Sequence, residues 1–324
     1  MAKNNYVVIS AAIFVGLSTS PTLSQIYPSK PVRVIVGFAA GGNVDIPARI
    51  VSTKLSEIWG TPVVVDNRPG AGSNIAAEFV AKAAPDGYTL LMCNAASHGI
   101  NPSIYRKIPF DPNKDFAPIS QIGSTANVLL VHPSSPLTTV GAFISYAKAN
   151  PGKLSIGSAG VGTSQHMSIE LFKSMTGTNL VHVPYKGGAP ALADLLGTQI
   201  PAMVSGVPTA LPSIKAGKVR ALGVTTAKRS SQLPELPTIA EAGVPGFEVT
   251  SWYGLCAPAG TPKPTIAKLN ADVVKALNMP DTQQRLAEQG VDAAPTTPEH
   301  FAEFIKSEVA KWPKIVKDAG ISAD

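Results

Sequence analysis

Continuous apolar runs and helically spaced apolar positions alternate along most of the chain. Residues 32–37 form a run that is apolar apart from Arg33, the pattern of a strand covered on both faces. Residues 44–58 place Ile46, Ile50, Leu55 and Ile58 at near-helical spacing. Residues 62–66 predict the next strand. The glycine-rich "NRPGAGSN" then leads into a helix capped near Ser73 and stopped by "PDG". Residues 88–93 predict a third strand, completing the β-α-β-α-β order of a parallel α/β sheet. The pattern then restarts. Strands are expected over 127–131, 154–158, 180–183, 200–205 and 219–224. Helices are expected within "SSPLTTVGAFISYAKANPG" and over 163–175, 189–196 and 209–216. A long aromatic strand over 247–257 follows, then three helices over 264–277, 281–289 and 298–318.

Two α/β units with helices left over after a late strand predict a chain that leaves one lobe and returns to it. The expected partition is residues 25–128 with 253–324 in lobe 1 and residues 129–252 in lobe 2. The crossings fall near 127–131 and 249–255, where Trp252 and Tyr253 read as core residues of the hinge strand. Two crossings make a hinge and leave a cleft between the lobes. Ligands of α/β sheets bind at the carboxyl ends of the strands, so both lobes would present their strand-end loops to that cleft.

Residues 1–24 follow different rules. Lys3 precedes a short apolar stretch, and Thr22 and Ser24 fit the small-residue positions of a cleavage site, the pattern of a secretory leader cut after Ser24. The apolar stretch is short for a membrane anchor. The protein is expected to be exported to the periplasm. Removing the leader removes Lys3 and lowers the formal net charge from +6 to +5. With 324 residues, 44% of them hydrophobic and 15% charged, the chain can bury two sizeable cores. Its modest positive excess suits steering of small anions. Lysines and arginines are scattered among acids, so no nucleic-acid partner is expected. Cys93 and Cys256 fit either one disulfide or two buried free thiols.

Four strand-end loops carry the candidate chemistry. "GFAAGGNVD" brings Phe38, Ala40, Gly41, Gly42 and Asn43 to a side-chain-poor turn at a helix start, where backbone N–H groups can meet an anion. Asp45 suits closure of that turn better than anion contact. "CNAASHG" offers Ala95, Ser97 and His98. "GSAGVGTSQH" repeats the first design, with Ser158, Gly162, Thr163 and His166. "VPYKGG" offers Tyr185, Lys186, Gly187 and Gly188, and the strand end of "VSGVP" adds Ser205. One glycine turn is ordinary in an α/β protein; two in each lobe point to a shared site. The first loop lacks the G-x-G-x-x-G spacing of a dinucleotide fold and the Lys-Ser/Thr of a P-loop. No G-x-S-x-G is present, so a secreted hydrolase using Ser158 or Ser205 with His166 is the alternative rather than the leading reading. No metal-ligand spacing is seen, and no metal, cofactor or catalytic residue is expected.

The ordered motifs "YPSKPVRVIVGFAAGGNVDIPAR", "VVVDNRPGAGSNIAAEFVAKAAPDGYTLL", "NPSIYRKIPFDPNKDFAPIS", "GSAGVGTSQHM", "VPYKGGAPALADLLGTQI" and "SWYGLCAPAGTP" resemble the extracytoplasmic receptors of tripartite tricarboxylate transporters, the Bug family. The resemblance covers the whole chain after the leader. It implies a two-lobed α/β periplasmic binding protein of the Venus-flytrap, type II-like kind, acting as a monomer. Such a protein captures a small organic carboxylate and delivers it to membrane transporter subunits. It implies ligand contacts, often through water, from Phe38 and Ala40–Asn43, from Ser158, Gly162 and Thr163, and from Tyr185–Gly188. This chain departs from the family at Asn43-Val44, where a Thr or Ser usually precedes the aspartate. A role in passing the liganded state to a membrane sensor is a third reading.

Overall fold

The computed structural model describes residues 1–2, 27–318 and 320–322; the expected leader lies almost wholly outside them. Strand β1 (Val32–Val36) is flanked in parallel by β2 (Val63–Asn67) and β3 (Thr89–Asn94). The helices between them are α1 (Asp45–Trp59) and α2 (Asn74–Ala81). Both faces of this sheet are covered, which is why β1 is apolar except at the half-exposed Arg33. Val34 and Val36 join one core with Val51 and Leu55 of α1. Ile35 points the other way, into a core with Ala76 and Val80 of α2.

Beyond β3 lie an antiparallel strand, β9 (Thr250–Pro258), and then β4 (Phe116–Val131). The 16 residues of β4 exceed the five expected. Its first part, Phe116 to Ala126, pairs with β9. Its last part leaves that sheet and pairs with β7 (Ala202–Gly206) and β8 (Arg220–Val224). Strands β5 (Ser155–Ser158) and β6 (Val181–Pro184) extend the second sheet in parallel beyond β7. One strand thus serves two sheets, changing partners between Ala126 and Asn127.

The second lobe carries α4 (Val140–Ala149), α5 (Ser164–Thr176), α6 (Gly188–Leu196) and α7 (Val207–Lys215). Threonines cap two of these helices: Thr139 Oγ1 accepts from Ala142 N–H and Thr163 Oγ1 from His166 N–H. After β9 the chain returns to the first sheet as α8 (Lys263–Leu277), α9 (Pro280–Glu288), the short β10 (Asp292–Ala293) against β4, and α10 (Pro298–Asp318). On α10, Phe301, Ile305, Trp312 and Val316 bury one stripe. On the same stripe Glu308 accepts a 2.9 Å bond from the Trp252 indole of β9. A π-helical turn (Ala96–Ile100) and the four-residue α3 (Asn101–Ile104) follow β3; neither shows in the sequence pattern.

Cys93 and Cys256 are bonded, joining β3 to β9. Ser73 occupies the N-cap position of α2 but in a left-handed conformation with no capping bond from its side chain. Among the described residues, no helix is long and apolar enough to cross a membrane.

Candidate functional site

A small cavity lies where the two sheets meet. Phe38, Asn43, Val44 and Ala95 line it from the first lobe, Thr163, Ser164 and Gln165 from the second, and Ser251 from β9. Asn94 and Ala96 complete the wall. Its volume of about 10 Å³ holds roughly one water. The cavity lies beside the start of α1 and the start of α5, so two helix N-termini approach it. At α1, Ile46 N–H already donates to Gly42 O at 3.0 Å and Pro47 has no N–H; at α5, Thr163 Oγ1 takes His166 N–H. No residue lining it is charged.

The polar side chains around it form one network. Ser164 Oγ lies 3.1 Å from Ser251 Oγ, and Asn43 Nδ2 lies 3.4 Å from the same hydroxyl. Gln165 Nε2 donates to Asn127 Oδ1 at 2.9 Å, so the network reaches the residue at which β4 changes partners. Asn43 also packs against the second lobe: a methyl group on Gly206 would stand 2.5 Å from Asn43 Cβ. Ala39 N–H donates to Lys186 O at 3.3 Å, a further bond between the lobes.

A second, roomier cavity of about 220 Å³ lies on the other side of Phe38. Gly70–Gly72 and Tyr105 line it from the first lobe, and Gly160, Val161, Tyr185 and Lys186 from the second. Here the loops touch closely. A methyl on Gly72 would meet Val161 O at 2.5 Å, and one on Gly162 would meet Asn101 Oδ1 at 2.0 Å. Tyr185 turns its hydroxyl to Asp194 at 2.7 Å, and burial followed by that carboxylate pushes its pKa up to about 12.

Of the residues singled out by sequence, Phe38, Asn43, Ala95, Thr163, Tyr185 and Lys186 line one cavity or the other. Ala40 and Gly41 stand exposed at the loop tip, whereas Gly42 is buried. Asp45 closes the loop. It accepts from Gly41 N–H at 2.9 Å, Arg49 Nε at 2.8 Å and Asn67 Nδ2 at 2.8 Å. Burial raises its pKa, but these bonds outweigh burial and hold it below the ordinary carboxylate value. Gly187 and Gly188 pack against Ala39 and Thr209, and the Ser205 hydroxyl bonds Gly206 O at 3.3 Å.

Ser97 and His98 lie behind the cavity wall. His98 is fully buried against Phe110 and Phe116, its Nδ1 2.9 Å from Ser97 Oγ, and burial lowers its pKa to about 3. Ser158 and His166 also sit behind their loop, and they do not pair with each other. Ser158 Oγ lies 2.6 Å from Nε2 of His182, while His166 Nδ1 accepts from Gly162 N–H at 3.3 Å. Neither serine of the hydrolase reading faces a cavity.

Sequence spacing offered no metal-ligand cluster, yet folding brings His166, Glu170 and His182 within reach of one ion. The third member arrives from a separate strand, which spacing along the chain does not reveal. Ser164 stands with Thr163 at the helix start that the sequence marks as the second lobe's anion site, whereas sequence reasoning misses Gln165 and Ser251. Gln165 is visible as a polar residue at the same helix start; Ser251 carries no local signal.

The family model described as "Tripartite tricarboxylate transporter family receptor" (TctC) matches residues 47–321. Protein BugT of Bordetella pertussis is 35% identical over 97% of this chain and 96% of its own length. A solved R. palustris protein with adipate is 41% identical at a TM-score of 0.89, covering 91% of this chain and 99% of its own. MatC from Rhodopseudomonas palustris, with bound malate, is 34% identical at a TM-score of 0.85, over 90% of this chain and 100% of its own. Family match, full-length relatives and solved neighbours agree: the chain belongs to the tripartite tricarboxylate transporter family of receptors.

Proposed function

We propose that this protein is a periplasmic receptor that captures a small organic carboxylate between its lobes and delivers it to a membrane transporter. The observation that carries the reading is the interlobe cavity: two helix N-termini and neutral amide and hydroxyl groups from both lobes meet at one point. Such a surface stabilises a carboxylate through hydrogen bonds and helix dipoles, with water filling the gaps. The adipate and malate held by the structural neighbours favour this ligand class.

At about 10 Å³ the inner cavity is too small for any organic acid, so ligand entry requires the walls to part. The change of partners between Ala126 and Asn127, together with the return into β9 at Thr250, supports a hinge there. In this reading the lobes are residues 25–128 with 253–324, and 129–252, and the protein works as a monomer after loss of its leader. Phe38, Asn43, Ala95 and Thr163 touch the ligand. Ala40–Gly42, Gly162, Gly187 and Gly188 let the loops close around it. Ser158, Ser205, His98 and His166 support those loops and perform no catalysis.

Mass spectrometry of small molecules released on denaturing the protein purified from its native periplasm tests this. A single organic acid at one per chain is expected. A sugar, an amine or a phosphate ester in its place would contradict the reading.

A further inference from the structure

His166 and Glu170, four residues apart on α5, share one face of that helix. His182 reaches the same place from β6. The two imidazoles stack with ring centres 4.3 Å apart and planes 22° from parallel. His166 Nε2 lies 3.8 Å from Glu170 Oε1. One donor atom from each of the three residues lies within 4.8 Å of the others. Zinc at about 2.0–2.2 Å from each donor in tetrahedral geometry holds donors roughly 3.4 Å apart. The cluster therefore needs to contract by about an ångström, and the stacked imidazoles must tilt so that their in-plane lone pairs converge on the ion. Two neutral imidazoles and a carboxylate are a donor set that zinc and neighbouring transition metals accept. His182 and Glu170 are only partly buried, which leaves an ion a way in.

The same lone pairs already have work. Ser158 Oγ accepts from Gly160 N–H at 3.0 Å, reaches Gly160 O at 3.4 Å and lies 2.6 Å from His182 Nε2, so it pairs with that imidazole nitrogen. His166 Nδ1 accepts from Gly162 N–H, which places the ring proton on Nε2. Both imidazoles thus hold the loop after β5 from behind. Lys173 Nζ occupies the carboxylate at 2.7 Å and 3.0 Å. A metal on His166 Nε2 would move the ring proton to Nδ1, where it would meet the Gly162 N–H donor to donor. A metal on His182 Nε2 would displace the Ser158 hydroxyl.

We propose that His166, Glu170 and His182 form a second site, for a zinc-class divalent cation, and that the ion and the loop Ser158–Thr163 compete for the two imidazoles. Because Gly160 and Thr163 line the two interlobe cavities, metal binding loosens the second lobe's grip on the cleft. The ion site stands independently of the carboxylate reading; only its effect on the cleft rests on that reading.

The test is a zinc titration of the purified protein at pH 7 in competition with a chromophoric chelator, with amide NMR of Gly160 and Gly162 alongside. One zinc per chain is expected, with both amide signals shifting at the same stoichiometry. Glu170→Gln and His182→Gln should each weaken uptake at least tenfold, and Lys173→Met should strengthen it several-fold by removing the competing ammonium. Glu170→Gln and Lys173→Met alter partly exposed groups and keep the test decisive if the histidine variant does not fold. No zinc uptake, or uptake indifferent to Glu170→Gln and Lys173→Met, would overturn the site. Uptake with unmoved amide signals would overturn the competition.

Discussion

Ser164 Oγ and Ser251 Oγ lie 3.1 Å apart, joining the first residue of α5 in one lobe to the strand that re-enters the other. Asn43 reaches the same hydroxyl from the opening loop of the first lobe. Three chain segments distant in sequence therefore meet at one hydroxyl beside the cavity. Closure depends on small groups at this junction.

Gly206 is the most sensitive of these. Its φ of −68° and ψ of 141° suit any residue, so alanine brings no backbone strain. Its added methyl would stand 2.5 Å from Asn43 Cβ, across the interlobe junction. Gly206→Ala is expected to weaken ligand binding at least tenfold, while overpacking costs about 1–3 kcal/mol of stability at most. Asn43→Gly in the same chain should relieve the overlap and restore the stability lost, while affinity stays low because Asn43 itself touches the ligand. Calorimetry of the single and double variants checks this, and unchanged affinity in Gly206→Ala would show that the lobes do not close there.

Gly42 is buried in the first loop. A methyl there would lie 3.1 Å from Ala39 O and 4.0 Å from Gly188 N in the other lobe. Gly42→Leu carries bulk beyond that methyl into the interlobe contact. Loss of binding with a cooperative melt within a few degrees of the parent is the expected result.

The disulfide closes a loop of 163 residues and lies among fully buried neighbours. Intact-mass measurement should show two protons fewer than the thiol form. Replacing both cysteines with serine should cost about 2–4 kcal/mol in denaturant unfolding, the usual contribution of such a link.

The buried histidines make the fold acid-sensitive. Burial holds His98 near pKa 3; burial, aided by the charge of Lys173, holds His166 near pKa 4. Both lie below the ordinary value of about 6.5, so between these limits the unfolded chain binds protons that the folded chain does not. Stability therefore rises with pH across this window and falls as acid is added. Each such histidine accounts for up to about 1.4 kcal/mol per pH unit. Urea midpoints at pH 7, 6 and 5 should fall steadily. His98→Leu should flatten the decline, recovering about 2 kcal/mol at pH 5 relative to the parent's loss.

The opening and second-lobe loops are legible in sequence because the signal is local. A buried strand runs into small residues and then into a capped helix, and this places Phe38, Asn43 and Thr163 at a strand end. The first part of β4 is not legible. Its segment contains Pro118, its buried Ile119 and Ile122 stand three apart rather than two, and its pairing shifts register between Pro118 and Ser120. Its partners β9 and β10 make it a strand. Ser251 and Asn127 reach the site through strand pairing that no local pattern encodes. His182 joins His166 in the same way, through the parallel pairing of β5 with β6.

Calorimetric titration of the refolded, ligand-stripped protein with a panel of mono-, di- and aromatic carboxylates, adipate and malate included, tests the central claim most directly. At least one acid should bind with one-to-one stoichiometry and lose at least tenfold in affinity in Gly206→Ala. Absence of binding to every acid by correctly folded protein would contradict capture of a carboxylate between the lobes.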